Sequence, residues 1–142
     1  MSAAFCFRKR AAEFLDRNSA LPVVTNGGKA KSCAKAFGEF VEHADGTPNI
    51  GAEELEKMLR ERADVVVLDS RPFDEYSRMS IPTGTDVPGA ELVLRARDLA
   101  PSPDTTIVVN CAGRTRSIIG AQSLINAGVP NKVVALRNGT MG

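Results

Sequence analysis

The chain has 142 residues, which is enough for one domain with a hydrophobic core of its own. Charged residues make up 25% of the sequence and the formal net charge is +1, so the composition gives no sign of the basic surface that nucleic acids require. Three cysteines and one histidine without regular spacing argue against a zinc site and a disulfide framework, and we expect no metal and no cofactor.

The N-terminal part of the chain, residues 1–46, has a mixed pattern. The elements that it predicts are a short helix at residues 11–15, an extended segment at residues 21–25 and a turn at residues 26–28. Residues 32–42 carry several apolar side chains, which suit packing on the domain that follows. We predict an N-terminal arm or linker over residues 1–46, with the end of a preceding domain as the alternative.

Neither a signal peptide nor a membrane span is indicated, since no apolar stretch is long enough for either. Sparse cysteines in an odd number are typical of proteins of the reducing cytosol. We therefore expect a cytoplasmic protein that contacts neither a membrane nor nucleic acid.

From residue 47 to residue 142 the pattern alternates regularly between helices and strands. The predicted strands are residues 65–68, 107–109 and 133–136, and the loop that follows residue 81 holds at most a short strand near residues 86–87. The predicted helices are residues 51–59, a short helix that begins at Pro72, residues 91–99 and residues 117–127. Continuous runs of branched apolar residues are typical of strands buried on both faces. The pattern predicts an α/β fold with a central parallel sheet and helices on both faces.

Residues with chemical potential follow each of the three predicted strands. Asp69 and Arg71 follow the first strand, Cys111 follows the second, and residues 137–139 follow the third. Because ligand sites in parallel sheets lie beyond the carboxyl ends of the strands, we expect these residues to converge on one edge. Asp69 and Arg71 are best explained as a structural ion pair or cap, with contact between Arg71 and the substrate as the alternative. Glu75 is predicted to be a first-turn helix acid.

Cys111 lies in a short loop between a strand and the start of a helix. The first turn of a helix has unpaired backbone N–H groups and carries the positive end of the helix dipole, so it stabilises an anion. Arg114 and Arg116 add two positive charges close by. These features favour a thiolate and predict a nucleophilic cysteine rather than a buried structural one.

These motifs, taken together, resemble the rhodanese-like sulfurtransferase domain. The resemblance runs from about residue 47 to the end of the chain and involves four segments. They are residues 68–71 with Glu75 and Tyr76, residues 81–82 with 87–90, the loop at residues 111–117, and residues 134–139. Met79 and Ser80 stand where the family often has Gly-His.

The family usually continues past its last glycine turn with a tryptophan and a final helix, whereas this sequence stops at Gly142. We therefore expect a rhodanese-like domain that is truncated at its C-terminus. On this expectation it is a fragment of a multi-rhodanese-domain protein, with further rhodanese domains of the same parent as partners.

The resemblance implies a sulfur transfer in two steps. The Cys111 thiolate takes the outer sulfur of thiosulfate or a similar small anionic donor, and a thiol or cyanide then accepts the sulfur from the Cys111 persulfide. Asp69 and Arg71 would support this loop. The residues that the resemblance assigns to substrate and persulfide binding are Ala112, Gly113, Arg114, Thr115, Arg116 and Ser117.

Two alternatives remain open. A cysteine phosphatase or arsenate reductase places an arginine six residues after its cysteine, whereas Arg116 is five residues after Cys111. Asn110 also stands where those enzymes usually have a histidine. The second alternative is a non-catalytic rhodanese module that binds a protein partner. Such modules commonly lack the cysteine that this chain retains.

Overall fold

Helices and strands alternate through the part of the chain that the computed structural model describes, residues 3–18, 25–26, 29–30 and 33–141. The helices are α1 (Ala3–Asn18), α2 (Cys33–Asp45), α3 (Ala52–Arg60), α4 (Phe73–Arg78), α5 (Leu92–Leu99) and α6 (Thr115–Asn126), followed by a 3-10 helix at Gly139–Met141. The strands are β1 (Thr25–Asn26), β2 (Lys29–Ala30), β3 (Asn49–Ile50), β4 (Val65–Asp69), β5 (Thr85–Asp86), β6 (Thr106–Asn110) and β7 (Val133–Leu136).

Five strands form a parallel sheet in the order β3-β7-β6-β4-β5. The three inner strands, β4, β6 and β7, are the three apolar runs that the sequence predicted, and all four residues of β7 are buried. The two edge strands have two residues each; β5 confirms the predicted short strand, shifted by one residue, whereas β3 was not predicted. The prediction of a central parallel sheet is thus confirmed.

Helices cover both faces of the sheet, as predicted. On one face, Leu92 of α5 and Ile118 and Leu124 of α6 pack with residues of β4, β6 and β7. On the other face, Leu55 of α3 packs against Val67 and its neighbours. Alternate residues of each inner strand therefore enter one of two hydrophobic clusters, as the two-residue period of a strand requires. Gly128, with a φ of 72°, follows α6 at its carboxyl end.

The N-terminal region contributes more structure than the sequence indicated. The predicted helix at residues 11–15 is part of the longer α1, and β1 and β2 form a short antiparallel pair around the predicted turn. Of the predicted extended segment, residues 21–24 lie outside the described residues. The ring of Phe14 in α1 lies 5.6 Å from that of Phe37 and 5.7 Å from that of Phe40, both in α2.

Helix α2 packs on α6 and belongs to the core of the sheet domain. Its Val41 is fully buried and lies in the same cluster as Leu68 and Leu124. The division of the chain at residue 46 stays a prediction. The packing of Val41 nevertheless joins residues that precede this boundary to the hydrophobic core.

We predict that Val41→Ala destabilises the whole domain by about 2 kcal/mol, because it removes buried methyl groups and leaves a cavity. Urea unfolding should show this loss as a lower midpoint with an unchanged slope. Val93→Ala is the matched control, since Val93 on α5 is 39% exposed, and it should cost within about 0.5 kcal/mol. Equal costs for the two variants would contradict the placement of α2 in the core.

Candidate active site

Cys111 directly follows the last residue of β6, and α6 begins four residues later. The residue is 1% exposed and lines a pocket of about 580 Å³. The pocket is lined by residues of the Cys111 loop, by Lys35 and Glu39 of α2, and by Asn138 and Met141 of the C-terminal turn. A ligand therefore meets a deeply set sulfur atom through an opening that three separate segments of the chain surround.

The turn after β7 holds the backbone of the Cys111 loop. The Thr140 N–H donates to the carbonyl oxygen of Cys111 at 3.0 Å, and the Met141 N–H donates to that of Ala112 at 3.0 Å. Gly139 has a φ of 54°, and a Cβ atom built there would lie 2.0 Å from the Cys111 oxygen. These contacts confirm that the ends of β6 and β7 converge, as the sequence predicted.

Ser117 ties the start of α6 to the same edge of the sheet. Its hydroxyl donates to the carbonyl oxygen of Arg114 at 2.8 Å and lies 3.3 Å from that of Leu136 at the end of β7. This serine is fully buried, and Gly113 and Thr115 line the pocket. The positive end of the α6 dipole consequently lies beside Cys111, where it favours an anion.

A buried ion pair lies at the end of β4. The Asp69 carboxylate accepts from Arg71 Nε at 2.9 Å and from Arg71 Nη2 at 2.8 Å, and the two side chains are 1% and 4% exposed. The hydrogen bonds that Arg71 donates to Asp69 raise the pKa of Arg71 above its ordinary value. Arg71 Nη2 also donates to the Met79 carbonyl at 2.6 Å. Because these partners engage Nε and Nη2 and the residue is only 3% exposed, the geometry favours the structural interpretation of Arg71 over contact with a substrate.

Asn110 and Ser70 connect this ion pair to the strand end that precedes Cys111, and neither role was predicted from the sequence. Asn110 is fully buried, and its Nδ2 donates to Asp69 Oδ2 at 2.8 Å. The Ser70 hydroxyl donates to the Asn110 carbonyl at 2.8 Å. A polar residue directly after the apolar run at residues 107–109 was the available signal, because a buried amide needs a partner.

Each arginine of the loop makes an ion pair with a carboxylate from a distant part of the chain. Arg114 pairs with Glu42 of α2. Arg116 makes two hydrogen bonds of 2.8 Å with Glu75. These bonds lower the pKa of Glu75 and raise the pKa of Arg116. The nearby Cys111 also helps to raise the pKa of Arg116. Glu75 lies in the first turn of α4, as predicted, but its pairing was not foreseen.

Two further findings concern the described residues as a whole. Among them, no group of three or more His, Cys, Asp or Glu side chains is placed to hold a metal ion. None of the helices in this part of the chain has both the length and the apolar character needed to cross a membrane.

Comparisons with known proteins give one family. The family model of the rhodanese-like domain matches residues 51–142. A crystal structure of thiosulfate sulfurtransferase from Pseudomonas aeruginosa is 64% identical with a TM-score of 0.74, covering 75% of this chain and 20% of that chain. This chain therefore corresponds to about a fifth of the length of that relative. No curated protein matches the chain significantly.

Two more distant structures show the same fold only. The rhodanese-like domain of an Anabaena protein is 24% identical with a TM-score of 0.58, covering 66% of this chain and 70% of that chain. A Rhodopseudomonas palustris protein of unknown function, described as a possible tyrosine phosphatase, is 21% identical with a TM-score of 0.62. That match covers 84% of this chain and 90% of that chain.

We predict that Gly139→Ala costs roughly 3 kcal/mol or more of stability, because the added methyl group forces the Cys111 carbonyl to move. Gly46→Ala is the matched control: Gly46 has a φ of 64°, and no atom lies within 4 Å of an added Cβ. It should cost only about 1 kcal/mol, the penalty of the left-handed conformation. Urea unfolding measures both values, and similar costs would contradict the close contact.

We predict that Asp69→Asn destabilises the protein by about 3–5 kcal/mol, because it leaves the buried Arg71 guanidinium without its counter-charge. The control is Glu56→Gln, which removes the exposed ion pair with Arg60 on α3 and should cost less than about 0.5 kcal/mol. Thermal unfolding of the three proteins provides the comparison. A cost for Asp69→Asn as small as that of the control would show that the buried pair is not needed.

Proposed function

Because this chain belongs to the rhodanese-like domain family, we propose that it is a sulfurtransferase that carries sulfur on Cys111. The observation that carries the proposal is a cysteine set between β6 and α6 at a pocket flanked by two arginines. The identity of 64% to the Pseudomonas aeruginosa thiosulfate sulfurtransferase supports it.

In the first step, the Cys111 thiolate attacks the outer sulfur atom of a small anionic donor such as thiosulfate. A sulfur–sulfur bond forms on Cys111 as the sulfur–sulfur bond of the donor breaks. The bonding electron pair leaves with the departing group, which for thiosulfate is sulfite. Cys111 then carries a persulfide with one negative charge, and the total charge of the reactants is conserved.

In the second step, an acceptor attacks the terminal sulfur of the persulfide. Cyanide becomes thiocyanate, and a thiolate becomes a persulfide. The electron pair of the broken sulfur–sulfur bond returns to Cys111 as the thiolate, so the cycle needs no metal, oxidant or cofactor. The burial of Cys111 suits this chemistry, because the sulfur atom to be transferred is the part of the donor that must reach the bottom of the pocket.

The loop residues have distinct proposed roles. Arg114 and Arg116 attract and orient the donor, since guanidinium groups bind oxyanions well. The backbone N–H groups of Ala112, Gly113, Thr115 and Ser117, together with the α6 dipole, stabilise the persulfide anion. Asp69 and Arg71 act indirectly by holding the end of β4 against Asn110.

Two parts of the proposal concern the setting of the protein. We propose a cytoplasmic location for the protein, because the cysteines of the chain have the sparse and irregular pattern of proteins in a reducing compartment. We also propose that further rhodanese domains accompany this one in a longer protein. The coverage of only 20% of the Pseudomonas aeruginosa sulfurtransferase supports a longer parent.

Neither alternative is favoured by a specific observation. A phosphatase grips its tetrahedral anion with an arginine six residues after the cysteine, whereas Arg116 lies five residues after Cys111. The similarity to a possible tyrosine phosphatase is at fold level. A module without catalytic function has no need of a cysteine beside paired arginines at a pocket.

We predict that incubation with thiosulfate adds one sulfur atom to the intact protein, and that cyanide removes it again. Cys111→Ser should abolish the gain, because the persulfide forms on that sulfur atom, and intact-mass spectrometry measures it directly. The matched controls are Cys6→Ser and Cys33→Ser, which should both retain the gain. No gain in a folded wild-type protein would contradict the proposal and favour the partner-binding module, so circular dichroism should accompany each measurement.

A further inference from the structure

Helix α2 precedes residues 51–142, the segment that matches the family, yet it forms one side of the Cys111 pocket. Lys35 and Glu39 line the pocket from this helix, and the buried Val41 anchors the helix in the core. Side chains from outside the family segment therefore contribute to the surroundings of the reacting sulfur.

The contact between α2 and the Cys111 loop is close. A Cβ atom at Gly38 would lie 2.9 Å from Cγ2 of Thr115 and 3.2 Å from its Cα. Any larger residue at position 38 would push α2 away from the first residue of α6. The backbone of α2 is thus set directly against the start of the helix that supports Cys111.

Glu42 is held from two sides at this interface. One carboxylate oxygen pairs with Arg114, and the other accepts from Nδ2 of Asn49 at 3.1 Å. The oxygen of the Asn49 amide in turn accepts from Arg137 Nη2 at 2.6 Å. The Glu42 side chain is only 10% exposed, whereas Arg114 is 44% exposed. The carboxylate therefore has a defined position, and the guanidinium that it holds stays accessible to a ligand.

The negative charge of Glu42, which lies beside Arg114, opposes the binding of a second anion at the same guanidinium. The Coulomb energy between Glu42 and a donor is proportional to the charge of the donor. A dianion such as thiosulfate is consequently penalised about twice as strongly as a donor that carries a single charge.

We propose that Glu42 is a specificity-determining residue, which counters the charge of Arg114 and thereby weakens the binding of dianionic sulfur donors relative to singly charged ones. This inference rests on the proposed sulfurtransferase function. It assigns to α2 a part in donor selection, through an ion pair that links Glu42 to a loop 72 residues away in the sequence.

The test is steady-state kinetics of Glu42→Gln with two donors, thiosulfate with two negative charges and methanethiosulfonate with one. We expect the KM for thiosulfate to fall about threefold, in line with the modest energy of partly exposed ion pairs. The KM for methanethiosulfonate should fall less than twofold, with kcat unchanged for both. The fall in the KM for thiosulfate should be smaller at high salt, because dissolved ions screen the repulsion between the Glu42 carboxylate and the donor.

Two controls separate this effect from a structural one. Arg114→Gln should change the KM for thiosulfate in the opposite direction, upwards, because it removes the positive charge that Glu42 counters. Glu56→Gln, on the exposed face of α3, should leave both KM values unchanged. An unchanged or raised KM for thiosulfate in the Glu42→Gln variant, or equal changes for the two donors, would overturn the inference.

A second measurement does not depend on turnover. The rate of alkylation at Cys111 is compared between iodoacetate, an anion, and iodoacetamide, which is neutral. Glu42→Gln should raise the ratio of the iodoacetate rate to the iodoacetamide rate by just under twofold, the effect expected for a single negative charge. If the wild type fails to form a persulfide while this ratio rises, the proposed function is wrong and the electrostatic role of Glu42 stands. If the persulfide forms and the ratio is unchanged, the role of Glu42 is wrong.

Discussion

The parallel register between β4 and β6 sets the position of Cys111. In that register Asp69 lies opposite Asn110, so the last residues of the two strands meet at one level of the sheet. The Asn110 amide donates to the Asp69 carboxylate, and that carboxylate also accepts hydrogen bonds from the buried Arg71. Because a slip of one residue would turn every side chain to the opposite face, the apolar faces of the two strands hold the register firmly. The position of Cys111, which directly follows Asn110, is therefore well defined relative to the sheet.

The third inner strand completes the support of the loop. β7 pairs with β6 on the side away from β4, and the chain turns back after β7 through Asn138 and Gly139. The N–H groups that follow donate to the carbonyls of Cys111 and Ala112. Backbone bonds hold the loop from one side and buried polar side chains from the other.

The charges around the pocket are balanced rather than uniformly positive. Glu42 holds Arg114 and Glu75 holds Arg116, and both arginines line the pocket. A donor anion, as proposed for this site, competes with these carboxylates for the two guanidinium groups. Under the proposed function, this arrangement weakens the attraction of donors that carry two negative charges more than that of singly charged ones. Through Glu42, helix α2 contributes to this balance of charge although it precedes the segment that matches the family.

By itself, the sequence determined the α/β class, the three inner strands and the cysteine loop, because apolar runs and the residues that end them are local signals. It also indicated that Asp69, Cys111 and Gly139 would meet, since parallel strands align their carboxyl ends. Only the tertiary structure decided which carboxylates hold Arg114 and Arg116 and where α2 packs. Glu42 and Glu75 lie 72 and 41 residues from their arginines, and nothing in their local sequence distinguishes them from solvated surface acids. Such pairings depend on the packing of whole helices, which no local pattern encodes.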